Sequence, residues 1–398
     1  MARGEFVALM AMMFATIAFS IDALLPAQTA IAQELTPDNT NRAQLILICF
    51  VLGMGLGTLV VGPLSDAFGR RRTMFAGAAL YILGAGVAWS SASFEVILAA
   101  RFVQGIGAAG PRVVCIAIIR DLFSGREMAK LVSIILMVFT LVPAFAPAMG
   151  AVIIELAGWR SIFGAFVVFS AITVIWLACR LPETLPVAER RPLKLSVIFA
   201  SVVEILSHPL VRLSILVQSL AMGMLFSMLI VVEPIYDQVY DKLETFPYWF
   251  GGIALFSATA SILNAMLVIR FGMRLLVASA LAMQVVLSGA VLVSHLSLGS
   301  TSFVVFAVWQ AFVFFQAGLT IGNLNALAME PMGHIAGTAA SVIGAIATIL
   351  AGLFAAAVGV FFDGTIIPLI GSIFVLACVA SFLMLFMRRM EKEAQPTA

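Results

Sequence analysis

Gly62-Pro63-Leu64-Ser65-Asp66-Ala67-Phe68-Gly69-Arg70-Arg71-Arg72-Thr73-Met74 lies between two apolar runs, at 43–61 and 73–91. Each run is long enough to cross a bilayer, whose hydrocarbon core takes about 20 residues of helix. The stretch therefore reads as a tight loop between two spanning helices. Gly62 and Gly69 permit backbone angles closed to other residues, and Pro63 cannot donate a backbone hydrogen bond. Arg70, Arg71 and Arg72 set three permanent charges at one membrane edge, which marks that edge as cytoplasmic. Asp66 is near enough to pair with an arginine or to face the positive end of a neighbouring helix.

Composition extends this reading to the whole chain. Of 398 residues, 63% are hydrophobic and 11% charged, where a soluble domain carries about 25% charged residues. The class is a polytopic membrane protein. Cys49, Cys115, Cys179 and Cys378 all lie in apolar runs without metal-type spacing, so free thiols are expected, with no disulfide framework, metal or cofactor. The first apolar run continues too far, and lacks the cleavage site, for a signal peptide.

Apolar runs between charges and turn residues predict twelve helices, at 6–28, 43–62, 73–92, 95–119, 130–154, 160–179, 211–234, 247–268, 274–294, 302–327, 336–360 and 366–387. The fold class is thus all-α, with two pseudo-symmetric six-helix halves, 1–180 and 209–398, joined by a cytoplasmic linker at 181–208. That linker is the one long polar segment, with Pro182, Pro186, Pro192, Arg190, Arg191 and Lys194. Of 22 Lys and Arg residues, Arg42, Arg160 and Lys242 fall in outer loops and Arg101 and Arg112 within a helix. The others share the side of Arg70–Arg72, which places both termini in the cytoplasm. Ala67-Phe-Gly-Arg-Arg71 recurs as Arg270-Phe-Gly-Met-Arg274, an offset of 203 residues that also relates the starts of helices 1 and 7.

Ionisable groups inside a membrane are costly, about 2.5–3.5 kcal/mol each, and so mark functional sites. Asp22 lies about 9 Å from the outer end of the first helix, and Arg101 at a similar depth in the fourth, which runs the other way. The two are expected to meet directly or through water, either as a coupling site or as a pair that fixes helix packing. Arg112, eleven residues after Arg101, shares its face about 16 Å deeper. It either faces the bundle interior with Arg101 or snorkels to the cytoplasmic edge. Gln104, with Gly105 and Ala108, shares or flanks that face. In the second half, Glu233 is a coupling or rim residue. Gln310 and Gln316 bind either a ligand or a neighbouring helix.

The Gly62–Met74 stretch resembles the signature between the second and third helices of the major facilitator superfamily, Gly-x-Leu-Ala-Asp-Arg-x-Gly-Arg-Lys. Gly62, Leu64, Asp66, Gly69, Arg70 and Arg71 fall on it; Ala67 stands where a basic residue is usual. The resemblance implies that Gly62, Asp66, Gly69, Arg70 and Arg71 form a cytoplasmic latch between the halves, weakened by Ala67. Residues 101–109, Arg-Phe-Val-Gln-Gly-Ile-Gly-Ala-Ala, resemble the family's fourth-helix motif Arg-x-x-Gln-Gly-x-Gly-Ala-Ala, which is associated with proton transfer. Pro143, Pro147 and Gly150 resemble a reduced form of the antiporter motif Gly-Pro-x-x-Gly-Gly, with Ala146 and Ala151 in place of glycines. Small residues and proline there let helices bend and approach closely. Residues 333–341 resemble the bicyclomycin and multidrug branch.

The resemblance implies a twelve-helix drug:proton antiporter of the bacterial inner membrane, working as a monomer by alternating access. Its partners would be a small-molecule substrate, protons and the lipid bilayer, and no nucleic acid. Asp22 and Arg101 would couple protons. Asp22, Arg101, Gln104, Arg112, Glu233, Gln310 and Gln316 would line the substrate path. Two arginines against one clear carboxylate favour neutral or acidic substrates. The alternative is a symporter that imports one metabolite, which the altered helix-5 motif keeps open. An enzyme would need a soluble domain or a nucleophile–base set, and the sequence supplies neither.

Overall fold

A lone apolar segment in lipid must pair its own backbone groups, so each one becomes a helix. A computed structural model of the chain describes residues 1–190, 192–193 and 195–394. Its helices are α1 (Arg3–Asp22), α2 (Gln28–Leu35), α3 (Leu45–Phe68), α4 (Arg70–Ser90), α5 (Phe94–Leu122), α6 (Gly125–Ala157) and α7 (Ser161–Arg180), then α8 (Leu195–Ser207), α9 (Pro209–Gln238), α10 (Phe246–Phe271), α11 (Met273–Leu298), α12 (Phe303–Met329), α13 (Ala336–Val360) and α14 (Ile367–Ala394). Among the described residues, eleven helical stretches are long and apolar enough to cross a membrane. One of them, Phe303–Val360, has 58 residues, far beyond the 30 Å or so of a bilayer core. It divides into α12 and α13 at a short 3-10 segment, Glu330–Ile335, where Met332 leaves helical geometry (φ −106°, ψ 22°). The twelve expected crossings are thus present.

The chain forms two compact units. The first comprises Met1–Phe199 with Glu244–Gly251, the second Ala200–Leu243 with Gly252–Ala398. In the first, α3 and α4 both pack along α5, α1 packs on α6, and α4 on α7. In the second, α9 packs on α13, α11 on α14, and α12 on both α9 and α11. The pairings α1–α6, α4–α7 and α4–α5 recur as α9–α13, α11–α14 and α11–α12. Gly69 and Gly272, 203 residues apart, each cap a helix in a backbone region that favours glycine (φ 100°, ψ 157° and φ 78°, ψ 157°). The sequence repeat is therefore also a repeat of structure.

Three expectations change. The stretch 62–74 is helical on both sides of Gly69, with Pro63 inside α3; one glycine suffices to turn the chain. The first crossing does not end at residue 28 but continues through the 3-10 turn Leu25–Ala27 into α2. The linker, read from the sequence as one polar segment, also carries a 3-10 turn, Val187–Glu189, and an apolar helix, α8. The linker residues Arg191 and Lys194 lie outside the described residues. All four cysteines are unpaired.

Where α3 meets α5, glycine sets the spacing. A side chain at Gly53 would strike the Phe102 carbonyl, and one at Gly105 the Phe50 carbonyl. Small residues at such crossings allow the close backbone approach that drives helix association in lipid. Replacing Gly105 with Val should force the helices apart at a cost of about 1–3 kcal/mol. The expected outcome is a lower thermal midpoint of the purified protein in detergent, with Gly86→Val, whose position is open, as the control that stays near wild type.

Candidate functional site

Pro26 lacks an N–H, so the carbonyl of Asp22, four residues earlier, receives no helical hydrogen bond. The Ala27 N–H instead bonds the Leu24 carbonyl at 3.0 Å, and the chain tightens into a 3-10 turn before α2 resumes. A 3-10 segment inside a helix commonly marks a hinge. Asp22 is the last residue of α1, at the edge of this joint, and only 4% exposed. Among the described residues its carboxylate makes no hydrogen bond and no ion pair. A buried, unpaired carboxylate is costly when ionised, so the position is suited to taking up a proton.

Arg101 on α5 is wholly buried. Its Nε donates to the Ile46 carbonyl (3.3 Å), one terminal nitrogen to Gln104 Oε1 (2.7 Å) and the other to the Ser20 carbonyl (3.0 Å). The guanidinium also lies 4.3 Å from the centre of the Phe50 ring, with Phe163 and Phe166 at 5.8 and 5.9 Å. The expected direct pairing of Asp22 and Arg101 does not form. Arg101 reaches α1 two residues short of Asp22, and neutral carbonyls together with aromatic faces already occupy its donors and its plane. Asp22 is also deeper than expected, thirteen residues before Leu35, or about 20 Å of helix. The half-buried Arg112 lies further along α5.

Pro143 and Pro147 lie inside α6, and Gly150 is where α6 touches the joint in α1. A side chain at Gly150 would strike the backbone of Ala23. In the second unit, Glu233, Gln310 and Gln316 are fully buried. Gln310 accepts from the Tyr236 hydroxyl at 3.0 Å, and Gln316 donates to the Ala221 carbonyl at 3.2 Å. Each amide thus joins α12 to α9. Asn323 likewise bonds Asn264 at 2.6 Å.

At the Gly69 end of the first unit, Arg70 binds both oxygens of Asp121 (2.8 and 3.3 Å), Asp66 (2.5 Å) and the Ser65 hydroxyl (3.0 Å). Glu183 accepts from the backbone N–H groups of Arg70 (2.8 Å) and Arg71 (3.2 Å), so a carboxylate caps the positive end of α4. Arg71 returns the arrangement: its guanidinium donates to the carbonyls of Ala178 (2.6 Å) and Leu181 (3.2 Å) at the end of α7. Gly62 is a helical residue of α3. Asp121 and Glu183 escaped sequence reasoning because their partners lie 51 and 113 residues away. The one local signal was an acidic residue directly after a spanning helix.

Twelve apolar crossings with an acid and a guanidinium buried among them define a polytopic transporter rather than an enzyme. The model of the Major Facilitator Superfamily matches residues 7–356, and the chain belongs to that family. It is 29% identical over 375 residues to an uncharacterized MFS-type transporter, YdgK, of Bacillus subtilis, covering 91% of this chain and 90% of the relative. It is 31% identical over 331 residues to the bicyclomycin resistance protein homolog of Haemophilus influenzae, covering 82% of each. Among solved structures, the human organic anion transporter MFSD10 aligns with a TM-score of 0.72 over 97% of this chain and 99% of that one, at 18% identity. That last likeness concerns the fold.

The Glu183 cap gives a direct test. Hydrogen bonds to charged groups contribute about 1.5–3 kcal/mol, so Glu183→Ala should lower the thermal midpoint in detergent. It should also speed tryptic cleavage of the linker at Arg190, with Glu189→Ala as the neutral comparison.

Proposed function

We propose that this chain exports small organic molecules in exchange for protons. The observation that carries the reading is Asp22: a buried carboxylate without hydrogen-bond or ionic partner among the described residues, at the edge of a joint in the first crossing. The resistance role in the name of the Haemophilus influenzae relative supports export. In this reading the protein is a monomer of the bacterial inner membrane with both termini in the cytoplasm. Its halves, 1–180 and 209–398, alternate access about a path that includes Arg101, Gln104, Arg112, Glu233, Gln310 and Gln316. Asp22 takes a proton on the outward side and releases it inside. Gly62, Asp66, Gly69, Arg70 and Arg71 form the cytoplasmic latch. Two arginines, Arg101 and Arg112, against one clear carboxylate that becomes neutral on protonation favour neutral or acidic cargo over lipophilic cations. A second reading, proton-driven import, is favoured by Ala146 and Ala151, which replace two glycines of the antiporter pattern.

Purified protein in liposomes under an imposed pH gradient tests this, with bicyclomycin and a panel of neutral, acidic and cationic compounds. Substrate should move against the proton flow, and Asp22→Asn should abolish gradient-driven movement while sparing downhill exchange. Movement with the protons would establish import. Cargo restricted to cations would overturn the charge argument.

A further inference from the structure

Ser20 holds two neighbours at once. Its carbonyl accepts from Arg101 at 3.0 Å, and its hydroxyl lies 2.5 Å from the Tyr81 hydroxyl on α4. The same Ser20 hydroxyl lies 2.5 Å from the Thr16 carbonyl. A carbonyl can only accept, so the single Ser20 hydrogen goes to Thr16. Tyr81 must then be the donor to Ser20. Ser20 is fully buried and Tyr81 only 2% exposed, so water does not compete for either group.

Tyr81 is itself held in place. A side chain at Gly107 of α5 would strike the Tyr81 backbone, so α4 and α5 are in close contact there. Beyond the joint, the outer part of the crossing has its own anchor: Glu34 accepts from Trp159 Nε1 (2.8 Å) and Arg160 (2.6 Å). The first crossing is thus fastened on both sides of Leu25–Ala27, by Ser20 within and by Glu34 beyond. Asp22 lies between the two anchors, two residues from the inner one.

We propose that Tyr81 is a positioning residue for transport: through Ser20 it fixes the inner half of the first crossing, Asp22 included, to α4, so that bending at Leu25–Ala27 moves the outer half relative to a stationary Asp22 and Arg101. This rests on the reading of Asp22 as the coupling group. Neither hydroxyl needs to touch cargo. Losing the bond loosens the fixed side of the joint and slows the conformational step, while substrate affinity is kept.

The test compares wild type, Tyr81→Phe, Ser20→Ala, the double variant, Ser20→Thr and Asp22→Asn in liposomes, per mole of folded protein. Cargo is bicyclomycin or the panel compound that wild type moves fastest. One net hydrogen bond corresponds to about a fivefold change in rate. Tyr81→Phe and Ser20→Ala should each lower the maximal gradient-driven rate about fivefold, with KM within about twofold. The double variant should be slowed by clearly less than the product of the two single losses, since the Ser20–Tyr81 bond is common to both while Ser20 also bonds Thr16 and Tyr81 also meets Gln104. Ser20→Thr, which retains a hydroxyl, should recover most of the rate. Wild-type rates in both single variants, losses that multiply in the double, or a change confined to KM would overturn the inference. If Asp22→Asn abolishes gradient-driven transport while Tyr81→Phe runs at the wild-type rate, the positioning role alone fails. If Asp22→Asn runs like wild type, the coupling assignment fails and this inference with it.

Discussion

A guanidinium cannot shed its charge under any condition a cell offers, and Arg101 carries one where solvent does not reach. The surroundings of α5 are arranged around that fact. Two backbone carbonyls, from α1 and α3, and the Gln104 amide oxygen receive its hydrogens, while Phe50 covers its face. The Ile46 carbonyl belongs to a helix, α3, that could not approach α5 so closely without Gly53 and Gly105 at their crossing. Close glycine packing and a satisfied buried charge are therefore one solution: the first brings an acceptor within reach, and the second ties three helices at one point.

The Gly69 end obeys the same rule by another route. Helix ends in or near lipid leave unpaired backbone groups, N–H at one end and C=O at the other. Glu183 and Arg71 satisfy them reciprocally, the acid on the start of α4 and the base on the end of α7. Arg70 meanwhile bridges Asp66 and Asp121, joining α3, α4 and α5. The conspicuous basic run thus serves as helix caps and cross-ties inside one unit.

Much of this was legible in the sequence because the bilayer imposes a length and forbids unpaired backbone. The twelve crossings follow from apolar runs, and the repeat from the paired glycines at 69 and 272. Boundaries failed where a local rule met a larger one. The first apolar run reads as ending at residue 28, yet the crossing continues through a 3-10 turn to Leu35, since leaving the helix in lipid would expose more backbone than the one bond lost at Pro26. The candidate site was half legible. Asp22 and Arg101 announce themselves as charges in apolar runs. The long-range partners do not: Ser20 for Arg101, Tyr81 for Ser20, and Asp121 and Glu183 for Arg70 are ordinary residue types whose contacts span 51 to 113 residues, and no periodicity within one helix reports them. The pairing of Asp22 with Arg101 was inferred from depth and charge alone. Those cannot weigh a salt bridge against a set of neutral acceptors that happens to be nearer.

That last difference bears on how a proton could be carried. Had Asp22 been the counter-ion of Arg101, each protonation would strip a buried guanidinium of its partner, and breaking a buried ion pair from one side costs about 3–5 kcal/mol. The penalty would recur at every cycle and oppose loading. With Arg101 held by carbonyls, an amide and aromatic faces, its environment is the same whether Asp22 is neutral or charged. The guanidinium then acts as a fixed positive field. On the proposed function, a joint in the backbone beside Asp22 completes the arrangement, because the group that would change charge sits at the edge of a 3-10 turn, and the group whose charge never changes sits on a helix fastened to its neighbours.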